Sequence, residues 1–285
     1  RTLAALRCPV ERGEGAPAGL RDLGRIAAGG SARPRVLRRK LSGALAEDEE
    51  VGQRVPPEAV GAVQAGRALL VRQKFAPQDL DEVILGCAAP SVDEVNIGRV
   101  AALRMGCGEK VPGWTVMRNC ASGMQALDSG VNNILAGRSQ LVLAGGVDAL
   151  SRAPLLYNDK VVDWFSDMAA ARTGGQRAAL FARMPFKQFL APVIGIMKGL
   201  TDPMVGLLMG PTAENLAFRF GITRREMDEF AARSHARVLA AVKAGYYAGE
   251  LAPLIDGEGR VYAADDGVRE DSTVENLGKL KPFFD

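Results

Sequence analysis

From Gln64 onward, apolar and polar positions switch between two rhythms, and the switching predicts helices alternating with strands. Ala65 to Val71 carries apolar residues at helical spacing and reads as the end of a helix. Asp81 to Gly86 is a short apolar run closed by a glycine, which predicts a strand. Val95 to Leu103 returns to the helical period. Trp114 to Met117 is β-prone, and Met124, Leu127, Val131, Ile134 and Leu135 then follow the 3.6-residue period. That stretch therefore predicts strand, sharp turn, helix, with Gly137 suited to the helix C-terminus. Leu141 to Ala144 reads as a strand buried on both faces, running into Gly145 and Gly146. Strands alternating with helices predict an α/β layered domain with a mostly parallel sheet.

The chain beyond residue 150 is patterned differently. Residues 151–210 are less regular and hold Trp164, Phe165, Phe181, Phe186 and Phe189. Phe189, Leu190, Val193, Ile194, Met197 and Leu200 fall on one helical face. The plain expectation is a helix packed on its own domain; an acyl tunnel, a partner subunit or a membrane surface are the functional uses. Pro211 to Phe220 predicts a short helix ended by Gly221. Thr223-Arg-Arg-Glu226 is a capping box opening a helix to Ala244, with Gly245 closing it. Residues 250–285 read as extended segments and turns.

Residues 1–63 match neither rhythm. They are dense in Ala, Gly, Arg and Pro, and the first aromatic of the chain is Phe75, so this segment is expected to be atypical and disordered. Its basic character suits a transit peptide, although only Ser31 and Ser42 supply the usual serines; a mis-read frame is the other explanation.

Charge is asymmetric along the chain. Net charge is +3, yet residues 1–40 hold ten Lys/Arg against three Asp/Glu and the remainder 26 against 30. There is no basic stripe with interleaved aromatics, which argues against nucleic-acid binding. Cys8, Cys87, Cys107 and Cys120 have no CxxC spacing and no histidines near them, so neither a metal site nor a disulfide framework is expected. Reduced thiols fit a cytoplasmic setting, with a mitochondrial one as the alternative. No apolar run approaches the roughly 20 residues needed to span a bilayer.

Cys120 is where candidate chemistry concentrates. It falls in the turn before a helix, where unpaired N–H groups and the positive end of the dipole favour negative charge. Ala121, Ser122 and Gly123 leave approach to the sulfur open. A cysteine so placed is a candidate nucleophile for acyl transfer; the alternative is a small buried apolar residue.

Three ordered motifs carry a resemblance: Asn119-Cys-Ala-Ser-Gly-Met-Gln125, Leu143-Ala-Gly-Gly-Val-Asp-Ala-Leu-Ser-Arg152, and Met209-Gly-Pro-Thr-Ala-Glu-Asn215. With the helix from Thr223 to His235 following them, the chain resembles the thiolases (acetyl-CoA C-acyltransferases) from about Gln64 to Asp285. Arg118 before the Asn-Cys pair and the long 153–210 segment are similar to the β-subunit of the trifunctional fatty-acid oxidation complex. The Met209–Asn215 motif argues against the related condensing enzymes.

The resemblance implies a fold, an activity and three site residues. The fold would be α/β and thiolase-like: an N-terminal αβα domain over 64–152, then a CoA-binding loop domain and the start of the return to the core over 153–285. The C-terminal half would be missing. The activity would be thiolytic cleavage of 3-ketoacyl-CoA to acetyl-CoA and a shortened acyl-CoA in fatty-acid β-oxidation, through an acyl-cysteine. Cys120 would be the nucleophile, with its backbone N–H among the oxyanion donors. Met209 would lie by the CoA thiol end, and Arg269 in Gly267-Val-Arg-Glu would contact the CoA nucleotide. Leu208 stands where many relatives have a histidine. Gly123 would let the helix start pack closely on a strand, and Asp148 with Ser151 and Arg152 would fix a loop at the dimer contact. Coenzyme A would be a substrate, with no cofactor and no metal. Partners would be a second copy, a β-oxidation α-subunit and, peripherally, a membrane.

Two departures temper that expectation. The family's Gly-His-Pro and Cys-x-Gly-Gly motifs, which supply the base and the second cysteine, do not occur between Arg1 and Asp285, and the only histidine, His235, reads as a packing or helix-surface residue. The family's first strand, with its Arg-Thr-Pro motif, is not recognisable in 1–63 either. The alternative function is therefore an incompetent remnant that at most binds CoA or a partner.

Overall fold

A computed structural model describes residues 3–7, 57–150 and 153–284. The chain forms two compact units. The first comprises Arg1–Ala149 with His235–Glu270, the second Leu150–Ser234 with Asp271–Asp285. After its excursion through the second unit, the chain thus rejoins the first over 235–270.

The first unit is built on a four-stranded sheet. Its strands are β1 (Leu3–Arg7), β2 (Glu82–Gly86), β3 (Gly113–Val116) and β4 (Leu141–Gly146), in the order β1-β4-β2-β3. β2 pairs in parallel with both β3 and β4, while β1 pairs antiparallel with β4, Leu3 opposite Gly145. A strand at Leu3–Arg7 thus lies inside the stretch expected to be disordered. Residues 8–56, with Cys8, Ser31 and Ser42, lie outside the described residues, as do Ser151 and Arg152.

Three helices cover the sheet: α1 (Pro57–Leu70), α2 (Ile97–Arg104) and α3 (Ser122–Leu135). The two-residue period of a strand sends alternate side chains to opposite faces, and both faces here are apolar. Val83, Leu85, Leu141 and Leu143 pack with Ala62, Val63 and Leu70 of α1 and Ile97, Ala101 and Ala102 of α2. Ile84, Val142 and Ala144 pack on the other face with Ala126, Leu127 and Ile134 of α3. The result is an αβα sandwich in which β2 is buried throughout and β4 is buried up to Gly145.

α3 meets the sheet differently from what its apolar spacing suggests. The positions buried against the strands are small: Ser122, Ala126 and Gly130. Met124 and Leu135 instead stay 71% and 76% exposed. Small residues let helix and sheet backbones approach, with Leu127 and Ile134 packing at the flanks while Met124 and Leu135 are turned outward.

The second unit has its own small core. It contains β5 (Leu155–Leu156), α4 (Asp159–Ala170), α5 (Gly174–Ala182), α6 (Phe186–Phe189), β6 (Val193–Ile194), α7 (Gly195–Gly199) and α8 (Met209–Phe220). The rings of Tyr157, Trp164, Phe165 and Phe189 meet at centroid distances of 5.2 to 6.1 Å. The single helical face expected from Phe189 to Leu200 does not form. Pro192 interrupts it, Val193 and Ile194 pair with β5, and only Gly195–Gly199 is helical.

α9 (Arg224–Lys243) starts with the expected capping box: Glu226 Oε2 accepts from the Thr223 N–H at 2.7 Å, and Thr223 Oγ1 accepts from the Glu226 N–H at 3.3 Å. Gly221 and Gly245, at φ 66° and 74°, close α8 and α9 in the left-handed conformation glycine allows. β7 (Leu254–Ile255) and β8 (Val261–Tyr262) form a hairpin in the first unit, and α10 (Val274–Gly278) belongs to the second.

Candidate active site

Cys120 stands on a turn that the backbone makes in two steps. Asn119 adopts φ 47°, the only left-handed non-glycine among the described residues. The Ala121 N–H then donates to the Arg118 carbonyl at 3.0 Å and the Ser122 N–H to the Asn119 carbonyl at 3.1 Å. Asparagine tolerates the left-handed region better than branched residues do, which explains its place before the cysteine.

Ser122 locks the turn from below. Its Oγ accepts from the Arg118 N–H at 2.8 Å and donates to the Asn119 carbonyl at 2.7 Å. The hydroxyl is buried, so these are bonds water does not contest. Arg118, on the far side, donates to Gln125 Oε1 at 2.5 Å. Cys120 itself is exposed, two residues before α3 begins. Cys87 and Cys107 are buried. Burial pushes the Cys107 thiol up, whereas a hydrogen bond from its own backbone partly offsets the rise.

Glycines set how close the helix start lies to the sheet. A Cβ on Gly86 would come within 2.5 Å of the Gly123 nitrogen and nearer still to the Ser122 carbonyl. One on Gly146 would stand 3.0 Å from the Gly123 Cα. On Gly123 itself a Cβ would meet nothing closer than 3.8 Å. The expectation for Gly123 is thereby corrected: close approach is real, but Gly86 and Gly146, on the strands, are the positions that enforce it. Gly86 carried a signal in the sequence, as the glycine ending an apolar run. Ser122 carried none beyond its place in the motif.

Asp148 ties the loops above the strands together. Its Oδ1 accepts from the Ala88 and Ala89 N–H groups at 2.9 and 2.8 Å and from the Cys87 thiol at 3.4 Å. The loop after β2 and the loop after β4 are thus held by one carboxylate.

Of the other predicted residues, Arg269 belongs to the same unit as Cys120 and Met209 to the second. Arg269 is exposed in the first unit, and its N–H donates to His235 Nδ1 at 3.2 Å. His235 is therefore more than a packing residue, a role that its spacing on α9 did not signal. Met209 is the first residue of α8 in the second unit and is half exposed. Leu208 is the N-cap there, and its carbonyl accepts from the N–H and Oγ1 of Thr212 at 3.1 and 3.0 Å.

Cys120 is thus an exposed thiol on a left-handed elbow, just before a helix whose start is seated over glycines. The model of the thiolase N-terminal domain matches residues 52–285.

This chain belongs to the thiolase family.

A probable acetyl-CoA acyltransferase of Staphylococcus aureus (strain COL) is 34% identical over 214 residues, which are 73% of this chain and 49% of that protein. The beta-ketothiolase BktB of Cupriavidus necator is 34% identical over 235 residues, 81% of this chain and 54% of its own. The crystal structure of the Bacillus anthracis acetyl-CoA acetyltransferase superposes with a TM-score of 0.67 at 34% identity, covering 81% of this chain and 54% of that one. That of human mitochondrial 3-ketoacyl-CoA thiolase in complex with CoA gives 0.65 at 29% identity, covering 81% and 53%. The chain spans about half the length of these relatives. The expected thiolase-like α/β fold is therefore the one observed.

Proposed function

We propose that this chain carries the nucleophile of a thiolase-type acyltransferase acting on 3-ketoacyl-CoA, with Cys120 as the attacking group. The thiolate adds to the C3 carbonyl carbon, and the Cys120 N–H is one donor to the oxyanion that forms. Collapse breaks the C2–C3 bond, and its electron pair leaves as the acetyl-CoA enolate, which takes up a proton. The acyl group remains as a thioester on Cys120 until a second CoA thiol displaces it and releases the shortened acyl-CoA. Fatty-acid β-oxidation is the proposed setting, because the long 153–210 segment is similar to that of β-oxidation subunits. Met209 and Arg269 are proposed to contact the thiol end and the nucleotide of CoA. The human structural relative in complex with CoA supports a CoA substrate.

The observation that carries the proposal is the exposed Cys120 on the Asn119 elbow. The test is mass spectrometry of the chain after incubation with acetoacetyl-CoA. An acetyl adduct on Cys120, absent from Cys120→Ala, is expected; an adduct that persists in the variant would remove Cys120 from the role.

A second reading has its own support. The sole histidine commits Nδ1 to the Arg269 N–H, so within Arg1–Asp285 a base for Cys120 has to be sought elsewhere than at that nitrogen. On this reading the chain by itself binds CoA or a partner without turnover. CoA binding with no adduct on Cys120 would favour it.

Partners follow the same logic. A homodimer would cover β3, which is an edge strand of the described sheet. Sedimentation would report it, and a monomer at all concentrations would exclude it. A β-oxidation α-subunit is the further protein partner, supported by the same resemblance of the 153–210 segment. Peripheral contact with an anionic membrane is supported by residues 168–201, which hold Arg172, Arg177, Arg183, Lys187 and Lys198 and no carboxylate. Exposed Phe181, Phe186 and Leu190 stand among them. No helix among the described residues is long and apolar enough to cross a membrane.

A further inference from the structure

We infer that His235 is a positioning residue for the Arg269 loop, holding it in the shape that receives the 3′-phosphorylated ADP portion of CoA; the ligand rests on the reading of Arg269 given above. Little else among the described residues holds this loop. From Asp265 to Glu270 the side chains are exposed except Val268. Among the described residues, the only hydrogen bond made by this stretch is the one from the Arg269 N–H to His235 Nδ1, at 3.2 Å. A six-residue segment with one anchor samples many shapes once that anchor is lost, and a guanidinium on it then meets its anion less often.

The anchor is well founded. His235 lies twelve residues into α9, whose 20 residues begin with the Thr223–Glu226 box, so the imidazole is carried by a regular helix. It is half-buried. Accepting at Nδ1 places the ring proton on Nε2 and defines one tautomer. The bond also joins two ends of one segment. His235 is the first residue of the stretch by which the chain re-enters the first unit, and Arg269 stands one residue before Glu270, where it leaves. Closing that 34-residue separation at its base orders the Arg269 backbone without using the guanidinium, which stays available for a phosphate.

The test compares His235→Leu, which removes the acceptor, with His235→Asn, whose Oδ1 falls about where Nδ1 does. Two readouts are taken on the purified chain: hydrogen exchange at the Arg269 N–H, and calorimetric affinity for adenosine 3′,5′-bisphosphate and for CoA. Loss of one hydrogen bond predicts faster exchange and affinity lower by about threefold to tenfold in His235→Leu. His235→Asn should stay within about twofold of the parent in both. Unchanged affinity in His235→Leu, or an equal loss in His235→Asn, overturns the inference. Arg269→Ala separates the two levels of the argument. If it binds both probes as tightly as the parent, the reading of Arg269 as a nucleotide contact fails. If it weakens binding while His235→Leu does not, that reading stands and the positioning role alone falls.

Discussion

Gly86 and Ser122 stand so close that no side-chain carbon fits between β2 and the start of α3. The approach brings the buried Ser122 hydroxyl under the turn, where it bonds both Arg118 and Asn119 and so shapes the elbow that presents Cys120. Gly86→Ala is therefore expected to push the first turn of α3 off the sheet and to slow alkylation of Cys120, with a stability loss on the order of 1–3 kcal/mol. Gly123→Ala, whose methyl would meet nothing nearer than 3.8 Å, should leave both close to the parent. Thermal unfolding and iodoacetamide kinetics on the pair decide it; equal effects would mean that the helix start yields to crowding.

Much of this could be read from residue types alone, for identifiable reasons. β2 and β4 are apolar on nearly every position because both faces are covered, and such runs stand out from their turns. The boundaries at Gly137, Gly221 and Gly245 were legible because each glycine takes a left-handed conformation. Leu3–Arg7 was not legible as a strand, since LAALR has neither β-branched residues nor alternation and is defined only by its ladder with β4. Phe189 to Leu200 misled because its apolar period continues through Pro192, where the helix cannot. At the site, the strand–turn–helix setting of Cys120 was legible, and the structure places the residue exposed two positions before α3. The bond between His235 and Arg269 spans 34 residues and has no local trace.

Glu82 anchors the underside of the same sheet. Only 7% exposed, it accepts from Asn133 Nδ2 and Ser139 Oγ at 2.7 Å each and from Trp114 Nε1 at 3.1 Å. Three elements therefore converge on one carboxylate with neutral donors. Glu82→Leu would strand those donors and is expected to cost about 3 kcal/mol or more in urea unfolding, whereas Glu82→Gln, keeping one acceptor, should cost roughly half as much. Equal losses would show that volume rather than hydrogen bonding governs the position.

The three described cysteines offer an internal comparison. Cys120 is exposed, while Cys87 and Cys107 are buried and the Cys107 thiol is pushed up by that burial. In the folded chain iodoacetamide should modify Cys120 first by at least about tenfold, and denaturant should abolish the difference. Peptide mapping measures it. Comparable rates in the folded chain would mean that the elbow does not form.

Acid should loosen the β7–β8 turn before it affects the sheet. The Arg260 guanidinium bonded to Asp256 holds its carboxyl down from an ordinary 3.8 to about 2, helped by the N–H groups of Arg260 and Glu258 and the Tyr262 hydroxyl. A depressed carboxylate contributes its stability above the ordinary value and loses it as pH falls through the lowered one. Protection factors at the Glu258 and Arg260 N–H groups, which donate to Asp256 Oδ1 at 3.0 and 2.8 Å, should therefore fall between about pH 4 and pH 2. In Asp256→Ala protection should be low at every pH, and a pH-independent protection factor in the parent would refute the attribution.

Asn119 allows the elbow itself to be separated from the residues that brace it. At φ 47° a β-branched side chain clashes with its own backbone, and glycine does not. Asn119→Val is expected to cost about 1–2 kcal/mol and to reorient the Cys120 sulfur, slowing acylation by acetoacetyl-CoA more than tenfold. Asn119→Gly keeps the backbone conformation accessible but loosens it, so acylation should fall only a few-fold while stability changes by less than about 1 kcal/mol. If both variants lose acylation alike, the Asn119 side chain takes part in the reaction directly; if neither does, the left-handed turn is not what presents Cys120.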